Sequence, residues 1–292
     1  ISQLASSIDA DVATAYKSIY NSVGTPGTTP GTSLVLLQAQ QKLNEFATPM
    51  SPRYATVNPA ANAGLVEGMK GLFNPTDTVS RQFKNGMMGT GVLGFDEVNM
   101  SQSIGMHTTG AWGTTITSTG TLSTQGQATL PISFTGSSKT WKQGDVFTIA
   151  GVYAVNPQTR QSTGSLQQFV VTADVTATTT GTLAISPPIY TADHALATVD
   201  SFPQATAVVT MLGSASTQYA QNLSYHKDAI TLATADLLLP QGVDMASRQT
   251  HNGISMRIVR QYDINNDRMP CRVDVLYGYA AIRPSMATRI WG

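Results

Sequence analysis

The clearest alternation of apolar and polar positions lies near the end of the chain, over residues 254–279. Two runs, 254–258 and 271–279, place an apolar side chain at every second position, and the polar, turn-forming segment 263–270 separates them. Alternation with a period of two predicts strands that share one face in a core. The pattern therefore predicts a long antiparallel strand pair, with Cys271 buried as a small hydrophobe. Mixed charge on the other face indicates a sheet that is not buried on both sides.

The start of the chain has helical spacing instead. An apolar stripe with steps of three or four residues predicts an amphipathic helix over 1–23, which Gly24, Pro26 and Gly27 end. A second helix is predicted from Thr32 or Ser33 to Phe46. The stripe of the first helix consists of Ile1, Leu4, Ile8, Val12, Tyr16, Ile19 and Val23, and the inward side of the second consists of Leu34, Leu37, Leu43 and Phe46.

Shorter helices and strands alternate after residue 46. The pattern predicts a buried strand over 54–57, a helix over 60–72, a helix from Asn74-Pro75 to Lys84, and extended structure over 87–104. Helices and strands mixed in this way are typical of an α+β body.

The composition changes between residues 110 and 221, where threonine, serine and glycine dominate and helical periodicity is absent. Short strands are predicted at 128–134, 146–155, 166–175, 182–185 and 205–212, which indicates an antiparallel sandwich or barrel.

The simplest arrangement is one body, 1–110 plus 222–292, interrupted by an all-β domain over 111–221. We expect this domain to have its own core, adjacent ends and the ability to fold as a peptide of residues 110–221. Its expected core includes Phe147, Ile149, Phe169 and Val171. The glycine-rich joints 105–113 and 213–221 predict that the domain sits as a separate body.

The overall composition narrows the function classes. The chain has 292 residues, of which 41% are hydrophobic and only 12% charged, and its formal net charge is zero. These values indicate a globular protein and argue against an electrostatic nucleic-acid binder, which needs a basic surface. A single cysteine excludes an internal disulfide. No apolar run is long enough to span a bilayer, and no signal peptide is visible. Because the chain starts at Ile1 inside a helical pattern, we expect that it lacks a natural N-terminal part.

Two motifs resemble ligand sites but lack the required context. Residues 89–94 match the glycine spacing of dinucleotide-binding loops, yet a helix is predicted before them and an extended segment after them, which favours a simple glycine-rich turn. Asp263, Asn265, Asp267 and Asp274 match positions of a calcium loop, but Arg268 replaces its glycine and Pro270 follows. We therefore predict no cofactor and no metal site.

No catalytic site is predicted either. The four histidines, at positions 107, 194, 226 and 251, lack ligand spacing, and Asp228 beside His226 has no nucleophile motif with it. Six arginines near the end of the chain are accompanied by aspartates, so we expect them to form ion pairs within the sheet or between subunits. These arginines are Arg257, Arg260, Arg268, Arg272, Arg283 and Arg289.

Several segments of the second half resemble a known family. The runs YHKDA (225–229), TLATADL (231–237) and RIVRQYD (257–263), and the ending DVLYG (274–278) with Arg283-Pro284, are similar to the major capsid proteins of tailed phages. The nearest resemblance is to coat proteins of short-tailed phages that carry an inserted β domain. It runs from residue 1 to 290 and is weakest over 110–141.

The resemblance implies a shell subunit of the Hong Kong 97 fold, with residues 1–23 as the end of a spine helix. It implies a chain that assembles with itself into pentamers and hexamers around double-stranded DNA without reading its sequence. Scaffolding and portal proteins are the implied partners, and the virion, assembled in the host cytoplasm, is the implied location. Related proteins place an arm and an extended loop before the spine helix. We therefore expect residues 1–292 alone to stay monomeric or form small oligomers.

Two other functions are alternatives to a shell subunit. The Thr/Ser-rich β region fits an extracellular binding or adhesion module, which predicts disulfides or a signal peptide. An enzyme is the other alternative, and the sequence offers no site for it.

Overall fold

A computed structural model describes residues 2–69, 86, 88–120, 122–251 and 253–292. They form two compact units, the first running to Ile230 and resuming at Ala281, and the second being Thr231–Ala280. Strands make up most of the regular secondary structure of the described residues, so the protein is mostly β with a few helices rather than evenly α+β. The helix predicted from Asn74 to Lys84 lies outside the described residues.

The described helices are α1 (Ser2–Ala13), α2 (Ser33–Glu45) and α3 (Pro59–Gly68), with short 3₁₀ turns at Thr14–Ser18 and Pro284–Met286. In chain order the strands are β1 (Ser22–Val23), β2 (Arg53–Val57), β3 (Gly89–Val92), β4 (Phe95–Met100), β5 (Met106–Thr108), β6 (Thr114–Ser118), β7 (Gln127–Thr135), β8 (Lys139–Trp141), β9 (Val146–Val155), β10 (Ser162–Val171), β11 (Val175–Ala177), β12 (Thr180–Ile189), β13 (Val208–Met211), β14 (Gln218–His226), β15 (Ile230–Ala235), β16 (Met245–His251), β17 (Ile254–Arg260), β18 (Cys271–Ala281) and β19 (Ala287–Trp291).

A mixed sheet forms one layer of the first unit, with the order β1-β19-β14-β2-β4-β3 and with β5 paired to the start of β14. Helices α2 and α3 contribute buried side chains to a core with this sheet, among them Leu36, Leu43 and Leu65. Asn58 caps α3, because its Oδ1 accepts a hydrogen bond from the Ala61 amide at 2.7 Å and Pro59 occupies the first turn.

Two helix predictions were wrong in detail. The first α-helix ends at Ala13 rather than near Val23 and is followed by the 3₁₀ turn Thr14–Ser18, and Ser22 and Val23 are extended because they pair in parallel with Arg289 and Ile290. In α2 the buried residues are Leu36, Ala39 and Leu43, whereas Leu34 and Leu37 are 59% and 42% exposed. Positions 34–37 are all apolar, so the spacing alone did not decide which face turns inward.

The second layer of the first unit is a closed barrel with the strand order β10-β12-β7-β6-β13-β9. Alternating side chains of its strands fill the interior, as in β7, where Leu130, Ile132 and Phe134 are buried. The predicted strand over 146–155 has the same bounds as β9. Strands β7 and β12 are longer by a few residues than the strands predicted at 128–134 and 182–185. All four predicted core residues, Phe147, Ile149, Phe169 and Val171, belong to the barrel core.

The barrel is not the separate body that the sequence predicts, because it belongs to one compact unit with the mixed sheet. Its entry strand β5 pairs with its exit strand β14 through Gln218↔Thr108 to Ala220↔Met106, so the joints form an ordered two-stranded ribbon. Val146, Ala154 and Val170 on the outside of the barrel pack with Trp291, Tyr20 and other side chains of the sheet region. The apolar outer positions of β9 and β10 therefore hold the barrel against the sheet.

The barrel also covers an open edge of the sheet. At edge strand β1, the Gln168 amide accepts a hydrogen bond from the Ser22 N–H at 2.7 Å and donates one to the Ser22 carbonyl at 2.9 Å. Gln168 thus pairs with β1 as a neighbouring strand would, which satisfies backbone groups that an edge strand leaves free.

The second unit is a four-stranded antiparallel sheet with the order β15-β18-β17-β16. The predicted strand pair is confirmed, since β17 and β18 pair from Met256↔Val275 to Arg260↔Cys271. Its apolar face is not a core, however, because Ile258 is 37% and Val273 43% exposed. Cys271 is exposed rather than buried, since it lies on this open face at the first position of β18.

Candidate functional sites

The glycine-rich motif at 89–94 forms a β-hairpin. Strands β3 and β4 pair antiparallel from Gly89↔Val98 to Val92↔Phe95, and Leu93 and Gly94 turn between them with positive φ angles of 51° and 78°. A dinucleotide loop needs a helix N-terminus directly after the glycines to face the phosphates. Here the glycines lead into strand β4, so the turn interpretation is confirmed.

The residues that matched a calcium loop point to different partners. Asp263 accepts hydrogen bonds from the Asn265 amide at 3.0 Å and the Asn266 side chain at 2.8 Å, and Asp267 accepts one from the Tyr262 hydroxyl at 2.8 Å. These bonds, from Asn266 first and Asn265 next, hold the pKa of Asp263 below its usual range. Among the described residues no group of three or more acidic, histidine or cysteine side chains is placed to hold a metal ion.

We expect no saturable calcium binding by the turn 263–270. Its carboxylates already accept local hydrogen bonds, and Arg268 brings a positive charge where a calcium loop has glycine. Isothermal titration of the chain with CaCl₂ should give only dilution heat. Titration of Asp263→Asn is the control. Micromolar binding that this variant abolishes would contradict the prediction.

Three of the six arginines for which ion pairs were predicted form them, namely Arg257, Arg260 and Arg272. Arg257 donates from Nε to Asp274 Oδ2 at 3.2 Å, its partner directly across β17 and β18, and Arg272 also binds the Asp274 carboxylate. Arg260 pairs with Asp244 at 3.1 Å. Hydrogen bonds from Arg257 first, and then Arg272, lower the pKa of Asp274. The charged face thus stabilises strand pairing by cross-strand contacts.

These contacts predict a pH dependence for the second unit. Because the folded-state pKa of Asp274 lies below its unfolded value of about 3.9, the pair stabilises the fold above that value and loses its effect as the pH falls through the folded pKa. Asp274→Asn should therefore lower the urea midpoint at pH 7, and the difference from wild type should shrink on acidification. Asp236→Asn is the control, because Asp236 is half-exposed and its ion pair with Arg248 is longer, at 3.5 Å. A difference that is unchanged by acid would contradict the prediction.

The histidines occupy separate places in the described structure. His226 is buried at the end of β14, and its Nδ1 accepts a hydrogen bond from the Asp228 amide at 3.3 Å. His194 stacks on Tyr190 with ring centroids 4.5 Å apart. His251 is exposed on β16. The His226–Asp228 pair therefore serves the turn that follows β14 rather than proton transfer.

Sequence reasoning missed a buried polar cluster where the barrel meets the sheet. We call it the junction network, and its members are Tyr16, His107, Asp145, Gln221 and Arg289. The Asp145 carboxylate, at the start of β9, accepts hydrogen bonds from His107 Nε2 at 2.8 Å, the Lys142 amide at 2.8 Å and the Gly110 amide at 3.1 Å. His107 lies on the entry ribbon, and its Nδ1 is 3.4 Å from the Tyr16 hydroxyl.

Arg289 is the cationic member of the junction network, and sequence reasoning had placed it among the ion-paired arginines. Its side chain is fully buried and donates to the Ile19 carbonyl at 2.9 Å, Gln221 Oε1 at 3.1 Å and the Gly144 carbonyl at 2.6 Å. The guanidinium also lies over the rings of Tyr16 and Trp291, at 5.5 and 5.7 Å. Burial lowers the pKa of Arg289 to about 10, while Tyr16 and Asp145 act in the opposite direction.

A surface cleft between the loop 23–32 and α2 also contains ionisable groups. Lys42 and Glu45 bind each other at 3.2 Å, and Lys42 donates to Ser165 Oγ of the barrel at 3.1 Å. These side chains therefore link α2 to the barrel. None of the helices in the described part of the chain combines the length and apolarity needed to cross a membrane.

The chain matches the family model described as "P22 coat protein - gene protein 5" over residues 3–292. The chain belongs to the P22 coat protein family. Membership of the P22 coat protein family makes it a structural phage coat protein and not an enzyme. The ion pairs, buried histidines and junction network described above are thus parts of a structural subunit.

A curated relative and two solved structures accompany the family match. Over 289 residues the chain is 24% identical to the major capsid protein of Acyrthosiphon pisum secondary endosymbiont phage 1, covering 93% of this chain and 68% of that protein. A solved chain of Mycobacterium phage Che8 aligns with 99% of this chain at 10% identity and a TM-score of 0.45, and the chain spans 59% of its length. The CUS-3 coat protein I-domain aligns with 34% of this chain at 32% identity and a TM-score of 0.27, over 96% of that domain.

Proposed function

We propose that this coat protein builds the icosahedral shell of a tailed phage by assembling into pentamers and hexamers around double-stranded DNA. The observation that carries the proposal is the match to the P22 coat protein family over residues 3–292. A closed shell requires repeated contacts between identical subunits whose rotation closes into rings. Scaffolding and portal proteins are the proposed partners, and the host cytoplasm is the proposed place of assembly.

The surface chemistry supports a container that does not read DNA sequence. With 17 basic and 17 acidic residues, the chain has no net charge to attract the phosphate backbone. Arg257, Arg260 and Arg272 are used in ion pairs with aspartates, which reduces the positive potential of the second unit. We therefore infer that contacts between protein subunits, and not base recognition, organise the particle.

For the fold we propose the Hong Kong 97 type, with the barrel as a domain inserted into the coat-protein body over residues 111–221. Two observations support the insertion. The Thr109 amide donates to the Thr217 carbonyl and the Ser216 amide to the Gly110 carbonyl, both at 3.0 Å, so the ends of the segment are adjacent. The barrel also has a separate core. Residues 110–221 expressed alone should give a dispersed amide NMR spectrum, and a random-coil spectrum would contradict the proposal.

Assembly is tested by expressing the phage's coat protein gene in bacteria, with and without the scaffolding protein gene of the same phage. Sucrose-gradient sedimentation and negative-stain electron microscopy should show closed, uniform shells when both genes are present. Coat protein expressed alone should give fewer or irregular particles. Coat protein that sediments only as monomers in both cultures, although folded by circular dichroism, would contradict the proposed assembly.

A further inference from the structure

We propose that the junction network holds the barrel and the mixed sheet together as one cooperative unit, and that its loss releases the barrel as a folded body. The released barrel would remain attached through the chain segments 106–110 and 216–221, whose pairing opens at the same time. Attachment and release of the barrel are properties of the single chain. They go beyond the proposed function, which concerns assembly of many chains, and they can be tested without any shell.

The barrel core is complete without the sheet. All residues of that core lie between Ile116 and Val209, and its aromatic members Phe147 and Phe169 stack with centroids 5.7 Å apart. A core built from one continuous segment can stay packed when contacts outside it are lost. Release of the barrel therefore does not require the barrel to unfold.

The junction network is the buried, charged part of the contact between the two layers. Asp145 and the Gly144 carbonyl come from a barrel turn, whereas Arg289 belongs to strand β19 of the sheet. The Asp145 side chain has no solvent exposure and that of His107 has 3%. Buried groups of this kind keep their hydrogen bonds only while all partners are in place, because water does not reach them as a substitute. Removing one member should therefore weaken the whole contact.

The backbone at the junction leaves little room for intermediate positions. A Cβ on Gly144, whose φ is +102°, would lie 3.1 Å from His107 Cε1 and 3.3 Å from Lys17 Cγ. The turn thus fits directly against the His107 ring, and a small displacement of the barrel would break several hydrogen bonds together. We infer two states, seated and released, rather than a gradual loosening.

Two variants of the full chain test the proposal. Asp145→Asn keeps the shape of the side chain but places an NH₂ group, which cannot accept a hydrogen bond, beside backbone N–H donors. Arg289→Met removes the three hydrogen bonds that Arg289 donates and keeps an unbranched aliphatic stem in its place. Hydrogen exchange should become at least tenfold faster in 106–110, 142–145 and 216–221. Strands β7 and β12 should exchange at the wild-type rate, and urea unfolding should separate into two transitions.

Matched controls separate the junction from general effects. Asp174→Asn changes an exposed carboxylate that accepts a hydrogen bond from the Gln143 amide at 2.7 Å, near the same turn. Arg260→Met changes a half-exposed arginine of the second unit. Neither control should change exchange at the junction, apart from the Gln143 amide, which binds Asp174 directly. The proposal would be overturned if the junction segments of both variants exchange at the wild-type rate. It would also be overturned if hydrogen exchange in β7 and β12 becomes faster by the same factor as at the junction.

The wild-type chain provides a test that does not depend on the variants folding. In increasing sub-denaturing urea, the three junction segments should open with one common dependence on urea, at a lower free energy than β7 and β12. Junction segments that open independently of one another, or only together with β7 and β12, would overturn the proposal as well.

Discussion

Phe169→Ala is expected to melt the barrel well below the wild-type temperature. The Phe169 side chain is fully buried opposite Phe147 in the β9–β10 pair, and the two rings stack at an interplanar angle of 23°. Truncating a buried phenylalanine to alanine costs about 3–5 kcal/mol, a large share of the roughly 5–15 kcal/mol that stabilises a typical domain. For a unit of this size such a loss lowers the Tm by roughly 10 °C.

Calorimetry measures this effect, and Tyr153→Ala is the control. Tyr153 lies on the same strand as Phe147, but its side chain is 38% exposed, so its truncation leaves no cavity in the barrel core. Its Tm should stay within a few degrees of wild type, about what a ΔΔG below 1 kcal/mol produces. Equal losses of Tm in the two variants would show that Phe169 is not part of a tightly packed core.

Gly110→Ala is expected to disrupt the place where the chain enters the barrel. A Cβ at this position would lie 2.3 Å from the Thr140 carbonyl oxygen and 2.8 Å from Trp141 Cα, which are backbone atoms that cannot rotate away. The amide of Gly110 also binds Asp145 at 3.1 Å. Because the backbone must shift, we expect a loss on the order of 3 kcal/mol, at the upper end for overpacking.

Urea unfolding followed by circular dichroism measures this loss, with Gly278→Ala as the matched control. Nothing lies within 4 Å of a Cβ built on Gly278, which is in strand β18. The control should be neutral or slightly stabilising, because alanine restricts the unfolded chain more than glycine. A Gly110→Ala midpoint equal to that of wild type would mean that the close approach of residue 110 to the β8 backbone is wrong.

Several strands were predictable from local pattern, among them β7, β9 and the β17–β18 pair, whereas the positions of several side chains were not. Leu130, Ile132 and Phe134 alternate with less buried residues, so the sequence itself marks β7. Leu34 to Leu37 are four apolar residues in succession, and only packing against the sheet selects Leu36 as the buried one. The extended structure of Ser22 and Val23 likewise depends on a distant strand, because they pair with residues 289 and 290.

The junction network had no local signal at all. His107 and Asp145 are 38 positions apart, and Arg289 lies 145 positions from Gly144, whose carbonyl it binds. Each residue alone has an ordinary interpretation, and the aspartate nearest to Arg289 in sequence, Asp274, binds Arg257 and Arg272 instead. The exposure of Cys271 was also unpredictable, because alternation defines a face of β18 but does not show whether that face is covered.

A cryo-electron microscopy reconstruction of the virion tests whether this coat protein forms the shell itself. We expect the continuous shell density to follow the mixed sheet and barrel of this chain at both five-fold and six-fold positions. A shell traced by a different chain, with this protein absent or present only as an external decoration, would contradict it.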